Sequence, residues 1–171
     1  MAIVARFPDP LGRRLDVLRR RFDPEADRAM AAHIPLTALF QSEPSLLPLE
    51  RHCWRVCHET PQFRVELGRI VEHEGGLQAE VTAGRDELAA LREALLAGQH
   101  APPTGDAPFE SRAVVGWRPL RDALVVADIE EAIAKSNRSF YVERIELMAQ
   151  YPDGTWYERD FYTLDRAVVR A

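Results

Sequence analysis

The side chains best suited to metal chemistry are crowded into one short stretch of the sequence. Histidine and cysteine occupy four of the seven positions from residue 52 to residue 58: His52, Cys53, Cys57 and His58. Residues 44–60 around them have the apolar spacing of a helix, which ends at Thr60-Pro61 because a residue before proline avoids helical geometry. Structural zinc sites usually take ligand pairs from different elements. A single helix does not supply that arrangement, so the cluster does not predict a zinc site.

The same segment makes further predictions about packing. Cys53 and Cys57 are the only cysteines, and they indicate no disulfide framework, so we expect both to be reduced. Leu47, Trp54 and Cys57 are expected to face inward, and the two histidines to lie at the helix surface. The tryptophans of the chain are more typical of core or hairpin packing than of platforms for nucleic-acid bases: Trp54, Trp117 and Trp156.

Length and composition narrow the class of protein. A chain of 171 residues has the size of one domain, or of two small lobes that share a core. Apolar residues make up 46% and charged residues 29%, and no apolar run is long enough to cross a bilayer, which excludes a membrane-spanning protein. Residues 1–7 lack the features of a signal peptide, so we expect a cytoplasmic protein. The formal charge of -5 argues against non-specific wrapping of nucleic acid but leaves room for a local basic cleft.

The positions of the candidate residues depend on a mixed order of elements. The pattern predicts strands over residues 2–7, 33–40, 62–74, 77–82, 109–117, 140–151 and 155–164. It predicts helices over residues 11–22, 44–60, 85–97 and 120–135. Residues 99–108 form a proline-rich loop, predicted to be mobile or to cover a cleft. This order does not continue as a doubly wound strand-helix alternation, so it favours an α+β fold of two lobes with similar content.

The order and spacing of several short segments resemble the two-histidine phosphoesterase superfamily, in particular its 2'-5' RNA ligase-like (LigT-like) branch. Residues 31–34, Ala-Ala-His-Ile, resemble the first motif of that family, in which a small residue or proline precedes His-x-Thr. Residues 63–67 resemble the start of its central hairpin, and residues 140–147 with 152–156 its closing hairpin. The resemblance covers nearly the whole chain, residues 1–171. It implies one domain of two pseudo-symmetric lobes, each with an antiparallel sheet, helices outside and a shared cleft.

The resemblance also implies a chemistry. Such enzymes place one His-x-Thr or His-x-Ser motif from each lobe beside a cyclic phosphodiester. Because residues i and i+2 of a strand point the same way, each motif delivers an imidazole and a hydroxyl to one side of the phosphate. One histidine then accepts the proton of the attacking water and the other donates to the leaving oxygen. This chemistry needs no metal and no cofactor.

The first motif is half retained in this chain. His33 stands at the histidine position, as a catalytic residue or as a buried structural histidine, but Pro35 replaces the hydroxyl residue. Pro35 also lacks an N–H and so restricts its strand to an edge, an end or a bulge. Thr37 lies on the same strand face, roughly 6 to 7 Å farther along, and is the candidate to bind a ligand in its place.

The second motif has lost its histidine. Arg112 and Val114 fall at the expected positions, and a slip of one residue would turn Ser111 and Ala113 to the cleft instead. Arginine binds phosphate through two parallel hydrogen bonds, yet it does not exchange protons near neutral pH. Loss of one general acid or base costs about a hundredfold to ten-thousandfold in rate. His100, in the adjoining loop, is the candidate substitute.

We therefore expect a degenerate relative of the family that binds a phosphorylated small molecule, a nucleotide or an RNA end through His33, Thr37 and Arg112, with weak or no catalysis. One alternative is an active phosphoesterase that hydrolyses a cyclic phosphodiester with one histidine and an arginine. Another is a protein-interaction module with a vestigial cleft, which binds through the hairpin of residues 140–164. The sequence leaves the substrate and the oligomeric state open.

Overall fold

The computed structural model describes residues 1–24, 30–41, 45–73, 76–103, 111–116 and 123–166. The helices within them are α1 (Leu11–Phe22), α2 (Leu47–Glu59), α3 (Arg85–Leu96) and α4 (Ala123–Lys135). The strands are β1 (Ala2–Arg6), β2 (His33–Pro35), β3 (Phe63–His73), β4 (Gly76–Ala83), β5 (Arg112–Gly116), β6 (Ser139–Val142), β7 (Arg144–Gln150) and β8 (Trp156–Thr163). The α+β class is confirmed.

The strands form one curled antiparallel sheet in the order β6-β3-β4-β5-β2-β1-β7-β8. The two predicted sheets are present as the two halves of this sheet, which meet where β2 pairs with β5. The halves repeat one another in topology, since β1-α1-β2 and β4-α3-β5 are both a strand, a helix and an adjacent antiparallel strand. The central strands of the two halves therefore occupy equivalent positions.

The strand predicted over residues 140–151 is divided into two, and the two parts belong to opposite ends of the sheet. Up to Val142 the segment pairs with β3, and from Arg144 onward it pairs with β1 and β8. Only Glu143 separates the two parts, although β6 is the first strand of the sheet and β7 the last but one. Because consecutive Cα atoms are about 3.8 Å apart, the two ends of the sheet must come close together. The predicted hairpin with β8 remains, formed by β7 alone.

All four helices pack on one face of the sheet. We call this face the core face. Alternate residues of β1 and β5 point to it and are buried against the apolar sides of the helices. The strand positions are Ile3, Ala5, Ala113 and Val115, and the helix positions are Leu11, Leu15, Leu49, Cys53, Val56, Leu88, Leu91, Leu95, Ile129 and Ile133. The opposite face, which we call the histidine face because His33 lies on it, carries none of the described helices.

The inward face of α2 differs from the predicted one. Cys57 is buried as expected, but Leu47 is 51% exposed and Trp54 is 61% exposed. Leu49, Cys53, Val56 and Cys57 form the buried stripe instead, and His52 is buried rather than at the surface. The expectation was wrong because a helix of mixed apolar and polar residues has two candidate stripes, and the sequence does not say which one meets the sheet.

Strand β2 is much shorter than the predicted strand of residues 33–40, and its end explains why. Leu36 donates its N–H to the carbonyl of Ile3 at 2.9 Å, but its own carbonyl accepts a hydrogen bond from Nη1 of Arg92 at 2.7 Å. The N–H of Ile3 therefore finds another acceptor, the hydroxyl oxygen of Thr37, at 2.9 Å. Thr37 is buried and terminates β2 through its side chain.

We predict that Thr37→Val lowers the free energy of unfolding by about 1 to 3 kcal/mol, the usual cost of a buried N–H left without an acceptor. Urea unfolding monitored by circular dichroism measures it. Thr163→Val, the same exchange at an exposed position of β8, is the matched control and should change stability by less than about 0.5 kcal/mol. Equal effects of the two substitutions would show that the hydroxyl of Thr37 does not hold Ile3.

Candidate functional site

The register of the central strands places both motif positions on one face. His33 lies directly opposite Val114, so their side chains point to the same side of the sheet. Arg112 is two residues from Val114 and shares that side, whereas Ala113 is fully buried on the core face. Of the two registers left open by the sequence, the structure has the one in which Arg112 shares the face of His33.

The two motif positions are near neighbours across the strand pair. Continuing the same register sets Pro35 opposite Arg112, so each histidine position faces the hydroxyl position of the other strand. Diagonal neighbours in such a pair are about 7 to 8 Å apart, which relates His33 to Arg112. Residues 33 and 112 therefore occupy equivalent places in the two halves and share one face of the sheet.

His33 is buried and its ring is held in one orientation. The side chain is 4% exposed, and Nδ1 lies 2.8 Å from the carbonyl oxygen of Ala31. A carbonyl oxygen only accepts, so Nδ1 carries the proton and donates it. The lone pair of the neutral ring is therefore on Nε2, the nitrogen farther from the backbone.

Burial lowers the pKa of His33 to about 4, because the imidazolium is poorly solvated there. The hydrogen bond to Ala31 opposes this shift, and the positive charges of Arg19 and Arg6 add to it. Arg19 is itself fully buried and donates from Nη2 to the carbonyl of Met30. At neutral pH His33 is thus a neutral acceptor in positively charged surroundings.

Arg6 is a further candidate site residue, one to which the sequence motifs do not point. It lies directly opposite His33 on β1, the strand on the other side of β2. Its Nη1 is 3.6 Å from a carboxylate oxygen of Glu146, and that buried carboxylate also accepts a hydrogen bond from Arg144 at 2.7 Å. Desolvation raises the pKa of Glu146 even so, and the two arginines oppose the shift. The signal available in the sequence is the alternation Ala2, Val4, Arg6, which sets an arginine on one strand face with two apolar residues. Only the register shows the partner of that arginine.

Thr37 has a structural contact in the position where a ligand contact was expected. Its hydroxyl oxygen accepts the N–H of Ile3, which leaves the hydroxyl proton as the group it offers to another acceptor. His100 is exposed and lines a cavity beside α2, together with Ser45 and Pro48. Neither of the two cavities that His100 lines contains His33 or Arg112.

Both cysteines and Trp156 have structural surroundings. Cys53 and Cys57 are free and buried, and burial raises the pKa of each thiol to about 12, so both are unreactive thiols. No group of three or more metal-binding side chains occurs among the described residues. Trp156 packs against a small apolar cluster on the histidine face, as expected for a hairpin residue. Trp117 and residues 104–110, which include half of the predicted loop, lie outside the described residues.

The fold of the chain is similar to that of several known structures. The protein TT0787 of Thermus thermophilus matches with a TM-score of 0.63 and 17% identity, over 97% of this chain and 98% of that one. Escherichia coli LigT in complex with 3'-AMP matches with a TM-score of 0.63 and 16% identity, over 96% and 97% of the two chains. LigT in complex with NADP+ matches with a TM-score of 0.62 and 19% identity, over 96% of each. The chain therefore has the fold of LigT-type phosphoesterases and ligases.

The family follows from the sequence itself. Residues 7–154 match the family described as the 2'-5' RNA ligase superfamily. The chain belongs to this superfamily, and the resemblance drawn from the short motifs is confirmed. A search of curated proteins gave no match. Among the described residues no helix is long and apolar enough to span a membrane.

We predict that His33 makes the protein less stable in acid. The ordinary pKa of 6.5 applies to the unfolded chain and a pKa of about 4 to the folded one, so the unfolded chain binds the extra proton first. The penalty is absent above pH 6.5 and grows as the pH falls through this window, to about 3 kcal/mol.

Urea unfolding of the protein and of His33→Gln at several pH values measures this effect. The difference between the two stabilities should shift in favour of the variant by about 3 kcal/mol between pH 6.5 and 4. Parallel pH profiles would contradict the burial of a neutral His33, and an NMR titration of its ring protons gives the pKa directly.

Proposed function

We propose that the protein binds the phosphate of a nucleotide or of an RNA end on the histidine face and turns it over weakly or not at all. The observation that supports this most is the electrostatic setting of His33. A neutral imidazole lies beside Arg6 and Arg19, and Arg112 shares its face from the neighbouring strand. Positive charges that make an imidazolium unfavourable are the charges that attract a phosphate.

Arg112 is the residue on which phosphate binding depends in this proposal. Its guanidinium replaces the second histidine of the family motif and matches two phosphate oxygens in one plane. It lies diagonally across from His33, so one phosphate group between them is in reach of both. Arg6 adds a second guanidinium on the other side of His33, partly neutralised by Glu146.

His33 offers an acceptor nitrogen to this site, suited to a hydroxyl group of the ligand and not to a phosphate oxygen, and it offers no proton. With a pKa of about 4 it is neutral at pH 7, so Nε2 accepts a proton or a hydrogen bond and has none to donate. Arg112 stays protonated, so it donates hydrogen bonds but does not release a proton to a leaving group. The reaction of the family needs an acid as well as a base, and neither position supplies the acid. We therefore propose binding with a rate reduced about a hundredfold or more.

The hydroxyl of Thr37 is a secondary element of the proposal. Its oxygen already accepts from Ile3, so it serves a ligand only through its hydroxyl proton. The ligand class is supported by the LigT structures, which were determined in complex with 3'-AMP, with NADP+ and with phosphate. Each of these ligands is phosphate or carries phosphate groups. By analogy of fold we assign the same class to this chain.

We predict that Arg112→Ala weakens the binding of a nucleoside 2',3'-cyclic phosphate about ten- to a hundredfold, because a charge-assisted hydrogen-bond pair is lost. Arg112→Lys keeps the charge but not the pair of parallel hydrogen bonds, so its affinity should lie between those of the unaltered protein and of Arg112→Ala. Calorimetric titration measures the affinities, and Arg20→Ala, at an exposed position of α1, is the matched control. No binding to the unaltered protein at about 1 mM ligand would overturn the proposal.

We predict that a proton donor restores catalysis. Arg112→His combined with Val114→Thr recreates the second motif and should raise hydrolysis of the cyclic phosphate about a hundredfold, the usual contribution of one general acid. Arg112→Ala, which supplies no donor, is the control and should give no gain. If the unaltered protein already hydrolyses the ester as fast as the double variant, the proposal of weak catalysis is wrong. The alternative of an active enzyme with one histidine and an arginine then replaces it.

A further inference from the structure

The outward side of α2 carries a stripe of basic and aromatic residues that the site at His33 does not use. Arg51, Trp54, Arg55 and His58 all have exposed side chains there. Residues three and four apart are neighbours on a helix, so these four form one continuous patch. Trp54 is 61% exposed and its ring stacks on that of His58, with centroids 5.2 Å apart and planes inclined by 11°. An exposed aromatic ring that is stacked on one side is a platform for another ring.

A cavity of about 440 Å³ adjoins this stripe, between α2 and the loop that follows α3. Its lining includes Arg51, Arg55, His52 and His100, and contains no aspartate or glutamate. Small, apolar and amide residues complete it. In a chain with a formal charge of -5, an acid-free cavity with two arginines is suited to an anion.

The guanidinium of Arg55 is held in place at the edge of this cavity. His52 is buried, and its Nε2 lies 2.9 Å from the carbonyl oxygen of Leu95, so Nε2 carries the proton and donates it. Nδ1 of His52 then accepts from Nη2 of Arg55 at 3.2 Å, and Nη1 of Arg55 contacts Glu59 at 3.0 Å. Two of the five N–H groups of the Arg55 guanidinium are engaged in these contacts, which leaves three for a ligand.

Arg51 completes the basic pair from the next turn of the helix. It makes no ion pair or hydrogen bond with the part of the chain that the structure describes, and its side chain is exposed. Arg51 lines the cavity and is three residues from Trp54 on the helix, so an anion at Arg51 is within one helical turn of the platform. Glu59 lies at the other end of the stripe, beyond Arg55.

From these contacts we propose a second ligand site, on α2, that binds a nucleotide. Its phosphate lies in the cavity against Arg51, Arg55 and His100, and its base stacks on Trp54. A nucleotide separates a flat aromatic base from a phosphate by one sugar, which matches a platform and a basic pair on adjacent turns. Because α2 packs on the core face and His33 lies on the opposite face, this site is distinct from the one around Arg112.

The test uses the full chain carrying Arg112→Ala, so that binding on the histidine face is reduced, with AMP as the probe. NMR titration of isotopically labelled protein measures the affinity. Arg51→Glu should weaken AMP binding about tenfold or more, and Trp54→Ala about fivefold. Arg20→Glu, the same charge reversal on exposed α1, is the matched control and should change the affinity less than twofold.

Two further probes separate the parts of the ligand and its source. Binding of inorganic phosphate should respond to Arg51→Glu and not to Trp54→Ala, because phosphate has no base to stack. The binding of a single-stranded RNA hexamer should be weakened by both substitutions. Tighter binding of the hexamer than of AMP identifies the ligand as a nucleotide within RNA rather than a free nucleotide. If AMP binds but neither substitution on α2 weakens it, or if AMP does not bind at about 1 mM, the second site is wrong. Either result leaves the outcome for Arg112 and the cyclic phosphate unaffected.

Discussion

The pairing of β2 with β5 is the constraint on which the arrangement of this protein depends. It joins the two halves of the sheet through the single register pair of His33 and Val114. That register decides which side chains share the histidine face, because a shift by one residue would turn Arg112 toward the helices and Ala113 away from them. At the outer ends of the sheet the chain passes from β6 to β7 through Glu143 alone, which holds the curled sheet together from the other side.

The end of β2 shows how this short strand is kept in place without a full ladder. Pro35 has no N–H, and the carbonyl of Leu36 is taken by Arg92 of α3. The hydroxyl of Thr37 then substitutes for a backbone acceptor to Ile3. A helix on the core face and a side chain next to the strand thus replace the missing ladder hydrogen bonds, and the position of His33 depends on both.

In the site that we propose, an arginine stands where the family motif has its second histidine, and this changes what the site can do. Two imidazoles exchange roles as acid and base, whereas a guanidinium stays charged and a buried imidazole with a pKa of about 4 stays neutral. The result is a fixed distribution of charge, with Arg6 and Arg19 also near His33. This distribution of charge supports the proposed binding of an anion rather than the transfer of protons.

The sequence alone determined the order of the elements, the α+β class and the family, because apolar periodicity, turn residues and short motifs are local signals. It also predicted His33 and Arg112 as candidate site residues. The tertiary structure decided which strands are neighbours, and with that the division at Glu143, the contact of Thr37 with Ile3 and the place of Arg6 beside His33. It also decided that His52 and not Trp54 is buried. These features depend on contacts between residues far apart in the chain, and the local pattern around each residue is compatible with more than one partner.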